Sequence, residues 1–309
     1  MSEIEGIPPP DTSPEKAIPV PTPPSPPSIK TLKSWAPLYL QKTDATISQL
    51  SKILSTPSGT DTLLLTLCYT SLLTSNILAR LSLSRIQRFS RQLIESAISL
   101  PPNTTVIINT SAIPPSRLLI TAQRLKALSD LISDFRIFVR LWGLIGIWKW
   151  GKRVLQDLRE EGGKDETAKK IEAAQVVVNV AFQYLENGAY LSSKGVMGWS
   201  TEKQNRAWAW SSRFWAAHVA LDFWRLGREW AKRRSKGKGK EVDDGAVNVG
   251  EGEWKAKWRR EMAVNMAWAP LTLHWSFEQG LVSEFWVGVL GTVAGIIGTR
   301  KLWKQSGKS

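Results

Sequence analysis

The sequence predicts an all-α, membrane-associated helical bundle with amphipathic helices and a C-terminal transmembrane helix. Apolar residues recur at helical spacing along most of the chain, while strand signals are almost absent. From Leu281 to Thr299 only Glu284 can carry charge, and as a helix that segment reaches roughly 28 Å, close to a bilayer's hydrocarbon thickness. Sixteen tryptophans and a net charge of +14 complete the pattern, because tryptophan suits the membrane–water interface and positive charge suits anionic headgroups.

The chain opens on a tail, residues 1–30, in which ten of the seventeen prolines fall between Pro8 and Pro27. Such density is incompatible with a helix or a central strand, so the tail is expected to be disordered or polyproline-like. No apolar run follows a basic start, so no secretory signal is expected. Residues 31–234 are expected to form a helical, membrane-associated region. Within it, Thr31 to Leu54 reads as a short helix, Pro57-Ser58-Gly59 as a turn, and Thr60 or Asp61 as the cap of a second helix. Thr62 to Ala79 is uncharged but rich in Ser, Thr and Asn, which suits burial against protein as well as insertion in lipid.

Residues 76–99 form the expected amphipathic helix. Ile86, Phe89 and Leu93 lie on one side with Leu78, Leu81 and Ala97, and Arg80, Arg88 and Arg91 lie on the other. An interfacial helix needs this arrangement, with its apolar face in the acyl boundary and its arginines on anionic phosphate. A surface helix of an ordinary bundle carries the same pattern. Pro101-Pro102 and Pro114-Pro115 bracket a loop, and one long helix is expected from Arg117 through Gly151. Its uncharged run, Leu141 to Trp148, is too short to span a bilayer, but with Ile171 to Leu191 it could form an embedded hairpin. Glu160 to Glu166 reads as a solvated loop.

Lys203 to Arg234 has the clearest helical period, with Trp208, Trp215, Val219, Phe223, Leu226 and Trp230 on one face. Residues 235–253 read as a flexible linker. Residues 254–309 then hold a Trp-rich helix, ending at Pro270, and the transmembrane helix 281–299. In that last helix Gly288, Gly291, Gly295 and Gly298 share one narrow face, with Glu284 one turn before them. A face of this kind permits close approach of another helix, so these five residues are the expected oligomerisation site. Arg300, Lys301 and Lys304 close the segment and place the C-terminus in the cytosol by the positive-inside rule.

Chemistry is not expected. His218 and His274 are the only histidines, with no nucleophile motif beside them, no metal-ligand spacing appears, and Cys68 is the single cysteine. The basic run Lys232 to Lys240 lacks any nucleic-acid module around it, so neither an enzyme, a cofactor, a metal nor a nucleic-acid partner is expected.

Three separately placed blocks resemble the peroxisomal biogenesis factor 11 family in its fungal form: Ser133 to Leu144, Leu185 to Ser192, and Leu-His-Trp-Ser-Phe-Glu-Gln-Gly-Leu from Leu273 to Leu281. The resemblance implies a peroxisomal membrane protein that self-associates and elongates the membrane through an N-terminal amphipathic helix. It also implies recruitment of a dynamin-related GTPase and its membrane adaptor for peroxisome fission. A pore for small metabolites, with Glu284 lining it, is the alternative that the resemblance also carries.

Overall fold

The computed structural model describes residues 29–99, 101, 116–160, 165–237 and 246–307. The proline-rich tail therefore lies outside the described residues, apart from its last two. Eight helices and no strand occur among them: α1 (Ile29–Leu54), α2 (Pro57–Ile98), α3 (Arg117–Arg140), α4 (Gly143–Arg159), α5 (Glu166–Ser193), α6 (Thr201–Gly237), α7 (Ala246–Trp275) and α8 (Glu284–Ser306). The all-α class is as the sequence predicts. Two compact units divide the chain, residues 1–48 and residues 49–309. The first is described only through α1, which accommodates Pro37 within its length.

In the second unit α3, α2, α8, α7, α6 and α5 follow one another as neighbours, and α5 returns to α3, so six helices close a circuit; α4 packs on α5. The boundaries differ from expectation where a specific contact overrides local signals. Pro57-Ser58-Gly59 is the first turn of α2 rather than a separate turn, because Thr56 caps the helix by accepting from the Gly59 N–H at 3.1 Å and proline is tolerated at N1. The helix expected from Arg117 through Gly151 breaks at Leu141-Trp142. There the Leu141 N–H donates to the Phe138 carbonyl at 3.1 Å, the Asn187 side chain donates to the Leu141 carbonyl at 3.1 Å, and Gly143 lies against Gln183, where a Cβ would come within 2.7 Å of Oε1.

Pro270 does not end α7, which continues to Trp275. One lost backbone donor is outweighed by the burial of Leu271, at 0% exposure, in a small core shared with Leu72 and Val287. The expected linker 235–253 is partly helical, since α6 runs to Gly237 and α7 begins at Ala246; residues 238–245 lie outside the described set.

The C-terminal segment is the main correction. Leu281 to Ser283 is not helical, so the uncharged part of α8 is Phe285 to Thr299, about 22 Å at 1.5 Å per residue and short of a bilayer's hydrocarbon core. Among the described residues one helix is long and apolar enough to cross a membrane, and it is α2.

Candidate functional site

The glycine face of α8 is occupied by α2 of the same chain. A Cβ on Gly288 would come within 3.0 Å of the Leu73 Cα, one on Gly295 within 2.9 Å of the Thr66 Cα, and one on Gly298 within 2.9 Å of the Thr62 Cγ2; at Gly291 it would fall in the Tyr69 ring. The order of these partners makes the two helices antiparallel, and the hydroxyls of Thr66 and Thr299 meet at 2.8 Å across the seam. These four glycines were expected to meet a second copy; they meet α2 instead, because their spacing selects close approach without specifying whose helix approaches. Glu284 stands outside this seam, well exposed at the start of α8 and 3.9 Å from Lys126.

The expected lipid-binding segment is not a helix of its own. Residues 76–99 continue α2 without a break, and α3 covers only the first part, as shown by Ser75 donating to the Ala122 carbonyl at 2.7 Å. Ser82 is the last buried residue. From Leu83 to Ser99 every residue is exposed except the half-buried Leu93. Ile86 and Phe89, each 49% exposed, share a face with Leu93, while Arg88 and Arg91 lie opposite. Arg80 belongs to the packed part, its guanidinium 4.3 Å above the Phe285 ring of α8.

Sequence reasoning missed the interior of the helical circuit. On α5, Glu172, Gln175, Asn179, Gln183 and Glu186 recur at helical spacing on the inner face, with Gln175, Gln183 and Glu186 buried, whereas Val177, Val180 and Tyr184 on the opposite face are 68%, 44% and 63% exposed. This helix is apolar outside and polar inside. Its inner groups are satisfied one after another: Trp150 donates to Glu172 at 3.0 Å, Gln175 to Asp222 at 3.0 Å, and the Asn179 amide to His218 Nδ1 at 2.8 Å. The Arg140 guanidinium then holds Glu186 with two hydrogen bonds, of 3.0 and 2.8 Å. The interruptions at Asn179, Glu186 and Asn187 were visible in the sequence; their common face was the signal.

At the centre lies a cavity of about 560 Å³, lined by Tyr69, Arg136, Arg140, Glu186 and a group of tryptophans. Arg136 is anchored on Asp61 at 2.8 Å. Trp215 is 5.1 Å from Trp268 and stacks on Trp275 at 5.6 Å with an interplanar angle of 16°. The three blocks singled out in the sequence converge here: the first supplies Arg136 and Arg140, the second Glu186, the third Trp275. His274 is structural, since its Nδ1 accepts the backbone N–H groups of Leu281 and Val282 at 2.7 and 3.1 Å and stabilises the turn at Gly280, where φ is +65°. Part of the tryptophan content thus builds the interior, and part remains outside, including Trp142, Trp148, Trp210, Trp224 and Trp286, each more than half exposed.

At the end of the circuit where α5 begins, Asp165 receives Lys232 and Arg228, each at 2.7 Å, and these two cations, Lys232 foremost, hold its carboxyl below the usual range.

The chain is 25% identical over 198 residues to an uncharacterised protein of Schizosaccharomyces pombe, an alignment covering 64% of this chain and 84% of that protein. No protein-family model matches the chain, and no solved structure matches it.

Proposed function

We propose that this chain is an integral protein of the peroxisomal membrane that elongates the membrane and promotes peroxisome fission. One observation carries the membrane part: among the described residues the buried set holds nearly as many polar or charged side chains as apolar ones, while large apolar side chains cover the exterior. A water-soluble bundle has the opposite distribution, and exposed apolar surface on this scale needs a partner. Lipid fits, because inward-facing polar groups and close glycine seams are how helices associate in a bilayer. The crossing element in this reading is α2 over Thr62–Ala79; α8 packs against it and, with an uncharged run shorter than the hydrocarbon core, would cross only where the bilayer thins around it.

The organelle and the remodelling activity rest on the three blocks and on the free half of α2. Its apolar stripe of Ile86, Phe89 and Leu93 would enter one leaflet of an anionic phospholipid membrane, with Arg88 and Arg91 on phosphate, enlarging that leaflet. The helix would bend just beyond Ser82 to lie along the surface. Self-association would then use the outer apolar surface rather than the occupied glycine face. Recruitment of a dynamin-related GTPase and its membrane adaptor follows from the resemblance alone.

The test is a fluorescently tagged chain followed by alkaline carbonate extraction. Co-localisation with peroxisomes and retention in the carbonate pellet are expected. Release into the supernatant would remove the integral reading, and localisation elsewhere the peroxisomal one. The central cavity, lined by polar and charged groups, favours a second reading, a pore for small metabolites, which predicts conductance of the purified protein in a planar bilayer; a remodelling protein is silent there.

A further inference from the structure

The middle of α6, the middle of α7 and the C-terminal part of α8 line a second, open pocket of about 660 Å³, which carries both basic and apolar side chains. Arg225 on its α6 side is committed, lying 3.1 Å from Asp222, 2.9 Å from Glu229 and 3.1 Å from Glu261. Lys257 stands 3.8 Å from Glu261. Arg260 of α7 and Lys301 of α8 face the same space and pair with no acidic group among the described residues. Val264 and Ile297 supply the apolar side chains of the lining.

We infer that this pocket seats the phosphomonoester headgroup of a membrane lipid, with Arg260 and Lys301 on the phosphate and Val264 and Ile297 against the glycerol and first acyl carbons. Arg225 and Lys257 are taken up by Asp222, Glu229 and Glu261, which leaves two positive charges, on Arg260 and Lys301, without a carboxylate partner among the described residues. A phosphomonoester carries about −1.5 to −2 at neutral pH and balances that surplus, whereas a phosphodiester, with one charge, leaves a cation uncompensated. Lipid rather than a soluble phosphate follows from position. Lys301 comes just after the uncharged run of α8 ends at Thr299, which in the membrane reading is headgroup depth, and basic pockets between helices at that depth suit phosphorylated headgroups. The inference rests on the membrane reading for its source of ligand and on the pocket for its charge.

The test offers the detergent-solubilised full chain an equimolar mixture of phosphatidic acid, phosphatidylserine and phosphatidylcholine and counts retained lipids by native mass spectrometry. Phosphatidic acid is expected to be retained in preference to phosphatidylserine. Arg260→Gln with Lys301→Gln should lower its retention by about tenfold or more, the loss expected when charge-assisted hydrogen bonds to the phosphate are removed. Lys255→Gln with Arg259→Gln removes the same charge from α7 outside the pocket and should leave the preference intact. Equal loss in both variants, or no preference in the wild-type chain, overturns the proposal. Displacement of the lipid by glycerol 3-phosphate at comparable concentration overturns the lipid source. A chain that keeps the preference yet is released by carbonate sinks the membrane reading and leaves the phosphate site standing.

Discussion

Replacing Gly291 and Gly295 by alanine tests the seam between α2 and α8. Alanine raises helix propensity by about 1 kcal/mol per site, so a free helix face would be stabilised. Here the added methyl has no room. On Gly295 it would sit 2.9 Å from the Thr66 Cα, short by about 0.6–1.1 Å of an ordinary carbon contact, and the obstacle is backbone that no rotamer change can move. On Gly291 it would fall in the Tyr69 ring. Overpacking costs about 1–3 kcal/mol per site, and both sites lie toward the upper end, so after the propensity gain the double variant should lose about 2–4 kcal/mol. At about 2–4 °C per kcal/mol, Tm should fall by about 4–16 °C, read by tryptophan fluorescence in detergent. Gly146→Ala and Gly227→Ala, in α4 and α6 with nothing within 4 Å of the new methyl, are the controls. Each should gain about 0.5–1 kcal/mol. If the double variant is stabilised like the controls, α8 does not pack on α2. If Tm holds while a crosslinked dimer disappears, the glycines meet a second copy after all.

Glu186→Gln removes the partner of Arg140 inside the circuit; with Glu186 itself 7% exposed but Arg140 33%, the loss should be near 3 kcal/mol, the low end for breaking a buried pair, and a Tm fall under 2 °C would deny the pair its place. Antiparallel packing puts the start of α2 and the end of α8 on one side, so Ser55→Cys and Gln305→Cys should both react with an impermeant maleimide in intact organelles, while Gln279→Cys reacts only after permeabilisation; opposite labelling of the first two would exclude a paired crossing. Asp165→Asn should lower Tm at neutral pH, and because the folded carboxyl titrates below its unfolded value, the difference should shrink as pH falls from the unfolded pKa of about 3.9 through the lower folded one, whereas a pH-independent difference would place the effect elsewhere. Arg88→Glu with Arg91→Glu should abolish tubulation of anionic liposomes by the full chain while leaving Tm unchanged, since both side chains are exposed; tubulation that survives removes the free half of α2 from the mechanism.

Helix content and the face of α6 were legible in the sequence because they depend on local periodicity. Val219 and Leu226 are buried as their spacing requires, at 3% and 0% exposure, whereas Trp230, further along the same face, is 45% exposed. What was not legible depends on partners distant in sequence. Leu141 to Gly143 is as helical as its neighbours until Asn187 and Gln183 arrive from α5. Pro270 stops a helix unless Leu271 has a core to enter, and that core is built by Leu72 and Val287. The glycines of α8 announced close packing, but only the fold assigns the partner. The polar stripe of α5 is readable in the sequence only once Gln175, Asn179, Gln183 and Glu186 are placed on one helical face, because its function depends on partners from α3 and α6.

Continuity of α2 constrains how the protein acts on a membrane. A separate amphipathic helix could lie on either leaflet, independent of the crossing segment. In this chain the apolar run Thr62–Ala79 and the free half are one helix, and Arg80, where the basic residues begin, contacts Phe285 at the start of α8. The free half therefore emerges at the end of the seam opposite the α8 C-terminus. In the proposed membrane reading Arg300, Lys301 and Lys304 favour the cytosol for that C-terminus, which would put Ile86, Phe89 and Leu93 on the opposite side. Partners in the cytosol would then meet the basic ends of α6, α7 and α8. Remodelling and recruitment would then occupy opposite faces of one bundle, coupled through the α2–α8 seam, so a substitution that loosens the seam should weaken both together.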